Sequence, residues 1–598
     1  MDEIWIALTA IESLWKKDQH IVFLGSWCIT QYNKQTIENL SYSIMDEQVS
    51  SIDWEKCQDI FQKFIDHHLD ELCEKLNQLH GEMHEKDYWS RAFLPWMKIW
   101  FQSLLIDYSC LEQAIKKYPG CKIMTYNTNE DEINWRLFEL EKFEVEERYK
   151  YDLFHVCIYN VILDYLKRRT DLSFEIVCVD NPYKIKKNDM ITKNHVSSSS
   201  LKESIKKRVF ANADIYMQNI YVENVKRFLI NSRCRVSPMP EFNVYKTKDM
   251  EYRTNEIINE TDEEDFISFA LERFWIDLPV DFLEAYKELR TQVDDYFRHT
   301  PRYVMSFNML VNAMLHEKGS KTIGMTHNVL YALLNCFHGE VPCSTDEFDL
   351  YYVWGENKYS NTRICPTFKY ALPEKNEYEK ENIYWFFSGN EENRYSAPLN
   401  TMIGTIRTAS SVERAVEEYI LFCKHLKDDL ARMIYYRMRD PWGFGMEKTI
   451  HEANSLLKKD EAVGATPLQA FGGQISEKLY SSRLIICNSF YTAVLYEALV
   501  RNVPVIVIQP DFTEYQYQCF WEDIPPYFAE LKKLGIWYTD GKEAAVFLNR
   551  HINDIESWWD EPQRQAVISA FANRVCMKTE NASRWWKREI KDILKHKP

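Results

Sequence analysis

Thr326, His327 and Asn328 close the apolar run KTIGM, and the same placement of polar residues recurs along the chain. Gly25, Ser26 and Trp27 follow HIVFL, Asn127 follows CKIMTY, and Ser306 and Asn308 end RYVMSFN. Further on, Ser388 and Gly389 follow IYWFF, Arg437 and Arg439 close ARMIYYRMR, and Ser489 ends RLIICNS. Ligands of open α/β sheets bind beyond the carboxyl ends of the strands, where the N termini of the following helices also point. A hydroxyl such as that of Ser489 can cap the next helix while its free N–H groups hold a phosphate. An Arg fork at position 437 or 439 suits a mono- or diphosphate, the alternative being an ion pair with Asp440. His327 has the chemistry of a general base or a neutral hydrogen-bond donor, and Asp152, Glu347 and Asp349 are the carboxylates that could work beside it. Any one of these residues, taken alone, is more often a turn or a helix cap; their recurrence points to one shared site.

The elements that must position these groups are legible as short runs whose interiors are apolar throughout, as strands covered on both faces should be. Helix-period stretches such as 54–79 and 279–297 separate them. Strands alternating with helices predict an α/β fold with mainly parallel, doubly wound sheets. RLIICNS, FYTAVLYEALVRN and VPVIVIQPDF read in succession as strand, turn, helix and strand. At 598 residues the chain exceeds one core and should form two to four domains. The polar, Ser-rich stretch 184–207 reads as an exposed insertion, and 366–382, with two prolines and many charges, as an inter-domain linker. This divides the chain into an N-terminal α/β domain with helical insertions, 1–370, and a C-terminal α/β domain, 371–598, with a ligand cleft expected between them.

The formal net charge of −17 disfavours nucleic acid as a partner, though a local basic pocket could still take a small anion. Acidic residues stand where a signal peptide needs Lys or Arg, and no apolar stretch is long enough to span a bilayer. The 15 Cys contain no C-x-x-C pair, so neither a zinc site nor a disulfide framework is indicated, and a cytoplasmic protein with reduced thiols fits best. With 18 Trp and 36 Tyr, a thick aromatic core is expected. The chain lacks a phosphate-binding P-loop, a G-x-G-x-x-G turn, H-E-x-x-H, a G-x-S-x-G elbow and a strand-terminal D-x-D.

FLGSWC, YWSRAFLPW, KTIGMTHN, YYVWG, LIICNSFYTAVLYEALVRNVPVIVI and LKKLGIWYTDGKEAAVFLNRHINDIESWW together resemble a group of bacterial transferases from surface-polysaccharide and lipopolysaccharide gene neighbourhoods. The resemblance covers most of the chain. It implies a GT-B-like glycosyltransferase: two Rossmann-like doubly wound domains facing across a cleft, working without a metal or other cofactor. Within that class the chain is similar to transferases of Kdo and sialic-acid-type sugars, whose donors are CMP-activated. Where such proteins often carry Gln-His-Gly-Gly, this chain has Met325-Thr326-His327-Asn328, and only the His matches. Read together with the strand exits, the expected nucleotide site is Ser388, Gly389, Arg437, Ser489, Tyr491 and Glu497, and in two-domain nucleotide-sugar transferases a carboxylate near the place of Glu497 binds the ribose hydroxyls. The expected catalytic group is His327, Asp152 or Glu347, and the expected acceptor contacts are Gly25, Ser26, Trp27, Ser306, Asn308 and Asn328. The implied partners are a nucleotide-sugar donor and a glycan or lipid-linked glycan acceptor; attachment to the periphery of the inner membrane is an option that no stretch declares. The rival readings are a sugar-nucleotide epimerase of the same architecture, which needs no acceptor, and a glycan-assembly scaffold without chemistry.

Overall fold

The structure is a computed structural model. It describes residues 3–28, 33–45, 54–127, 148–182, 213–217, 236–240, 242, 244, 246, 248–256, 266–306, 308–326, 329–333, 348–356, 361–366, 380–387, 409–438, 469–470, 478–479, 481–490, 492–510, 520–579 and 582–595. Three sheets organise them. The first comprises β1 (Ile4–Ala7), β2 (His20–Phe23), β3 (Tyr42–Ile44), β4 (Cys121–Tyr126) and β5 (Phe174–Val179), in the order β3-β2-β1-β4-β5. The second comprises β6 (Ile215–Met217), β7 (Val236–Pro238), β8 (Tyr303–Met305), β9 (Lys321–Met325), β10 (Leu350–Val353) and β11 (Thr362–Ile364), in the order β11-β10-β9-β8-β6-β7. The third comprises β12 (Asn382–Phe387), β13 (Ile434–Met438), β14 (Gln469–Ala470), β15 (Ser482–Cys487), β16 (Val505–Ile508) and β17 (Trp537–Tyr538), in the order β14-β13-β12-β15-β16-β17. Every pairing is parallel.

Counted from its own first strand, the third sheet has the order 3-2-1-4-5-6 of a dinucleotide-binding Rossmann fold, and the first sheet has the same order short of its last strand. The middle sheet runs 2-1-3-4-5-6, the flavodoxin-type order. The α/β doubly wound expectation therefore holds. The first 370 residues, however, carry two sheets, because Ile4–Ala7 and the short strands around 215 and 236 complete separate parallel arrays. Chain stretches 184–207 and 367–379 lie outside the described residues.

Two long helices, Trp54–His80 and Lys86–Lys117, tie the first sheet to the second. One continuous core contains Ile6 and Val22 of the first sheet, Val304 of the second, and Tyr384 and Cys487 of the third. A second core fills the far face of the third sheet, from Ile383 and Trp385 to Leu548 and Ile555. Trp89, Trp100, Trp385 and Trp559 are fully buried, so the aromatic richness goes into packing.

A dense seam joins the middle sheet to the third. Just past β10, Trp354 accepts a hydrogen bond from the Met577 amide at 2.5 Å, and the Glu356 amide donates to the Arg574 carbonyl at 3.0 Å. Between them Gly355 lies so close to the Val575 backbone that a Cβ there would stand 2.4 Å from its carbonyl carbon. The buried Arg574 guanidinium forms an ion pair with Asp523 and donates to the Ala332 carbonyl at 3.1 Å and to the Glu356 carbonyl. The Trp521 amide donates to the Leu333 carbonyl at 2.9 Å. Segments that follow strands β9 and β10 thus lock onto segments of the last third of the chain. After that crossing, helix Ala582–Lys595 packs against the middle sheet, with Tyr303 donating to the Ile593 carbonyl at 2.7 Å. Two Rossmann-like units joined in this way make the GT-B-like plan, preceded here by a third such unit.

Candidate functional site

In a 3-2-1-4-5-6 sheet the ligand crevice opens where strand order reverses, outside the carboxyl ends of strands 1 and 4. In the third sheet those strands are β12 and β15. Their exits are residues 388–389, which lie outside the described residues, and Asn488-Ser489, which are buried. Arg437 on β13 and Cys487 on β15 are both in register with Phe386 on β12. Registered residues of parallel strands project to one face, so Arg437 shares the Phe386 and Cys487 face, about 10 Å from Cys487 across two strand spacings. That face is the one in the continuous core, turned towards the rest of the molecule. Arg437 itself is half-buried.

The loop after β15 is held rather than loose. The buried Gln509, at the exit of β16, accepts a hydrogen bond from the Phe490 amide at 2.9 Å. Tyr496 donates its phenol to the Phe490 carbonyl at 2.6 Å; burial pushes that phenol's pKa well up, so it stays a neutral donor. Ser489 does not cap the following helix. The cap is Thr492, whose hydroxyl accepts from the Val494 amide, and the helix runs Ala493–Val500. Gln509 and Tyr496 hold Phe490 in the loop between β15 and this helix, and Thr492, not Ser489, takes the cap. Glu497 lies about one turn into that helix and is buried, so it is no helix-surface carboxylate. Gln509, Thr492 and Tyr496 were missed from sequence. Gln509 could have been found by the strand-exit rule, since it follows VIVI directly.

The remaining candidates divide by position. Ser306 and Asn308 stand at the switch point of the middle sheet, but both serve the helix Met309–Glu317. Asn308 caps it by accepting from the Val311 amide at 3.1 Å, and the Ser306 hydroxyl accepts from the Asn308 amide at 3.0 Å. Thr326, at the exit of β9, is buried with its amide donating to the Tyr352 carbonyl at 2.9 Å. His327, Asn328, Glu347, Ser388, Gly389, Tyr491 and Arg439 lie outside the described residues. Asp152 belongs to the helix Arg148–Arg169 of the first unit, and only its backbone is described.

Gly25, Ser26 and Trp27 follow β2 of the first sheet, with Ser26 described in its backbone alone. Trp27 is buried and donates its indole N–H to the Leu8 carbonyl at 2.9 Å, just past β1. Its ring folds back over Gly25 so tightly that a Cβ there would stand 2.2 Å from it. Trp15 donates to the neighbouring Thr9 carbonyl at 2.9 Å. Two indoles therefore plug the exit of β1, and Trp27 is held there by packing and by its indole bond.

Asp349 is corrected in the same way. It precedes β10 at the amino end of the middle sheet, opposite the ligand side, and accepts from the Thr322 amide at 2.7 Å and hydroxyl at 3.0 Å. Partial burial raises its pKa, but bonds from His316 and Thr322 and the charges of His316 and Arg91 outweigh that and hold it down to about 2. A depressed carboxylate contributes stability above its unfolded pKa, near 3.9, and loses it as pH falls through the folded value. Asp349→Asn should therefore lower stability at neutral pH by about 2 kcal/mol and flatten the acid limb between about pH 4 and pH 2. Melting temperature followed against pH checks this.

Among the described residues no helix is long and apolar enough to cross a membrane. No curated protein matches the chain. Solved structures with a distant likeness include the wall teichoic acid polymerase TagF, at 13% identity over 66% of this chain and 96% of that one, TM-score 0.32. Others are MurG of Acinetobacter baumannii, at 12% identity over 63% and 90% with TM-score 0.30, and Anabaena HepE in complex with UDP and glucose, at 11% over 64% and 100% with TM-score 0.32. The fold assignment above rests on the strand orders and not on these likenesses. Residues 4–590, nearly the whole chain, match the model of the LIC12162 family transferase, and the chain belongs to that family.

Proposed function

We propose that this transferase moves a sugar from a nucleotide donor to a bacterial surface glycan, with a CMP-activated ulosonic acid as the donor. The observation that carries the reading is the switch point of the third sheet, with Arg437 on one side, the braced Asn488-Ser489 loop on the other, and Glu497 buried one turn into the following helix. In this reading Ser388, Gly389, Ser489 and Tyr491 line the phosphates, Arg437 neutralises them, and Glu497 receives the ribose hydroxyls. The acceptor enters from the middle-sheet side of the seam, near Ser306, Asn308 and Asn328. His327, or Asp152 or Glu347, activates its hydroxyl. Departure of the nucleotide is assisted by helix N–H groups and Arg437 without a metal ion. Residues 1–370 form the acceptor side and 371–598 the donor side, and the protein works in the cytoplasm.

A thermal-shift screen with CMP, UDP, GDP and ADP tests this. A nucleotide at about 100 times its dissociation constant should add about 2.7 kcal/mol of stability. CMP alone should shift the transition, and Arg437→Ala and Glu497→Ala should each remove the shift. A response to UDP or GDP instead would replace the donor, and a shift that survives both substitutions would move the site elsewhere.

A further inference from the structure

We infer that the helix Ala582–Lys595 docks this protein on an anionic lipid surface through a single stripe of cations. Arg584, Arg588, Lys591 and Lys595 are all exposed, and their spacings of four, three and four residues place them on one line of the helix. The line is about 16 Å long at 1.5 Å per residue. Within the helix five Lys and Arg face two carboxylates, in a chain whose formal net charge is −17. One of the two, Glu589, turns inward: it accepts from the Tyr352 hydroxyl at 2.8 Å and pairs with Arg363. The other, Asp592, pairs with Lys595 at 2.9 Å on the surface, where such a pair contributes little.

The opposite face of the helix is fixed. Trp586 and Ile590 are buried, and the Trp586 indole donates to the Pro366 carbonyl at 3.0 Å. Arg302 donates to the Leu594 carbonyl at 3.1 Å and Tyr303 to Ile593, so the last turn is tied to β8. The helix therefore cannot turn its apolar side outward without leaving the middle sheet. What it offers is a straight, rigid row of positive charge on an otherwise acidic molecule. A plane of anionic headgroups complements such a row. Single-stranded nucleic acid fits it less well: such binding adds aromatic rings on which bases stack, and of the two indoles of the helix Trp586 is buried and Trp585 is half-buried against the core.

The inference does not depend on what the protein transfers. The test is co-sedimentation of the full chain with phosphatidylcholine vesicles containing phosphatidylglycerol, against phosphatidylcholine alone, at low and high salt. The protein should pellet with the anionic vesicles at low salt and be released at high salt. Each cation contributes about five-fold in partition, so Arg588→Glu with Lys591→Glu should weaken binding at least about 25-fold. Arg588→Gln with Lys591→Gln should weaken it less, and neither pair should change the melting temperature, since both side chains are exposed. Absence of pelleting at low salt overturns the inference, as does pelleting that ignores the charge reversal. Capture of a single-stranded oligonucleotide with vesicles left unbound overturns it equally.

Discussion

Replacing Arg253 by Met should lower the unfolding free energy by about 3–5 kcal/mol, the cost of removing one partner of a buried ion pair. Arg253 is fully buried. Its Nε donates to Glu284 at 2.7 Å and its Nη2 to the same carboxylate at 2.6 Å. The other arm of the guanidinium donates to the carbonyls of Trp275, Ile276 and Leu278 at 3.0, 3.0 and 2.5 Å. Those carbonyls end the helix Phe266–Asp277, where a cation also opposes the helix dipole. A Met in its place fills much of the volume, so the loss comes from the stranded Glu284 charge and the unsatisfied carbonyls, not from a cavity. The double change Arg253→Met, Glu284→Leu removes the stranded charge and should recover part of the loss. Urea denaturation of the parent and the two variants checks this. If the single and double variants are equally destabilised, the carboxylate is not the source.

The second large effect belongs to the seam. Arg574→Met should cost about 2–4 kcal/mol and, more tellingly, should split one cooperative unfolding transition into two. Asp523 is half-exposed and can rehydrate when its partner goes, so it adds little to that figure. The cost lies in the Ala332 and Glu356 carbonyls, which lose their donor inside the seam. Both sit on segments that follow strands of the middle sheet, while Arg574 and Asp523 belong to the last third of the chain. Cutting this clamp loosens one sheet from the other without touching either core. Hydrogen exchange should then separate 350–356 from 505–508, two segments expected to exchange together in the parent protein. Continued co-protection of the two segments in the variant would show that the seam does not depend on Arg574.

Much of this architecture is legible in the sequence. Each apolar run taken as a strand holds one, from His20–Phe23 to Val505–Ile508. The strands that escaped notice, such as β6, β7, β14 and β17, are two or three residues long, too short to show a period. IWIA, only four residues long, forms the central strand of the first sheet. The strand orders could not be read at all, because crossover pairing between distant segments is settled by packing and not by local pattern.

The candidate site shows the same boundary. The strand-exit rule led to Ser388 and Gly389, which lie outside the described residues, and to Arg437 and Ser489, which belong to strands β13 and β15 on either side of β12 or to the loop that follows them. At Trp27 the same rule met an exit closed by its own indole, and at Asn308 a residue that also caps a helix. Whether Ser489 or Thr492 caps the helix turned on Gln509 and Tyr496, distant or downstream residues that no local reading weighs. Asp349 was a carboxylate of the right type at the wrong end of its strand.

The central claim is that the nucleotide binds at the switch point of the third sheet. Hydrogen exchange of the full chain with and without saturating CMP tests it most directly. The account predicts slowed exchange in 485–500, around the Asn488-Ser489 loop and its helix, with 305–312 unchanged. Protection confined to 305–312, or to the first sheet, would contradict it.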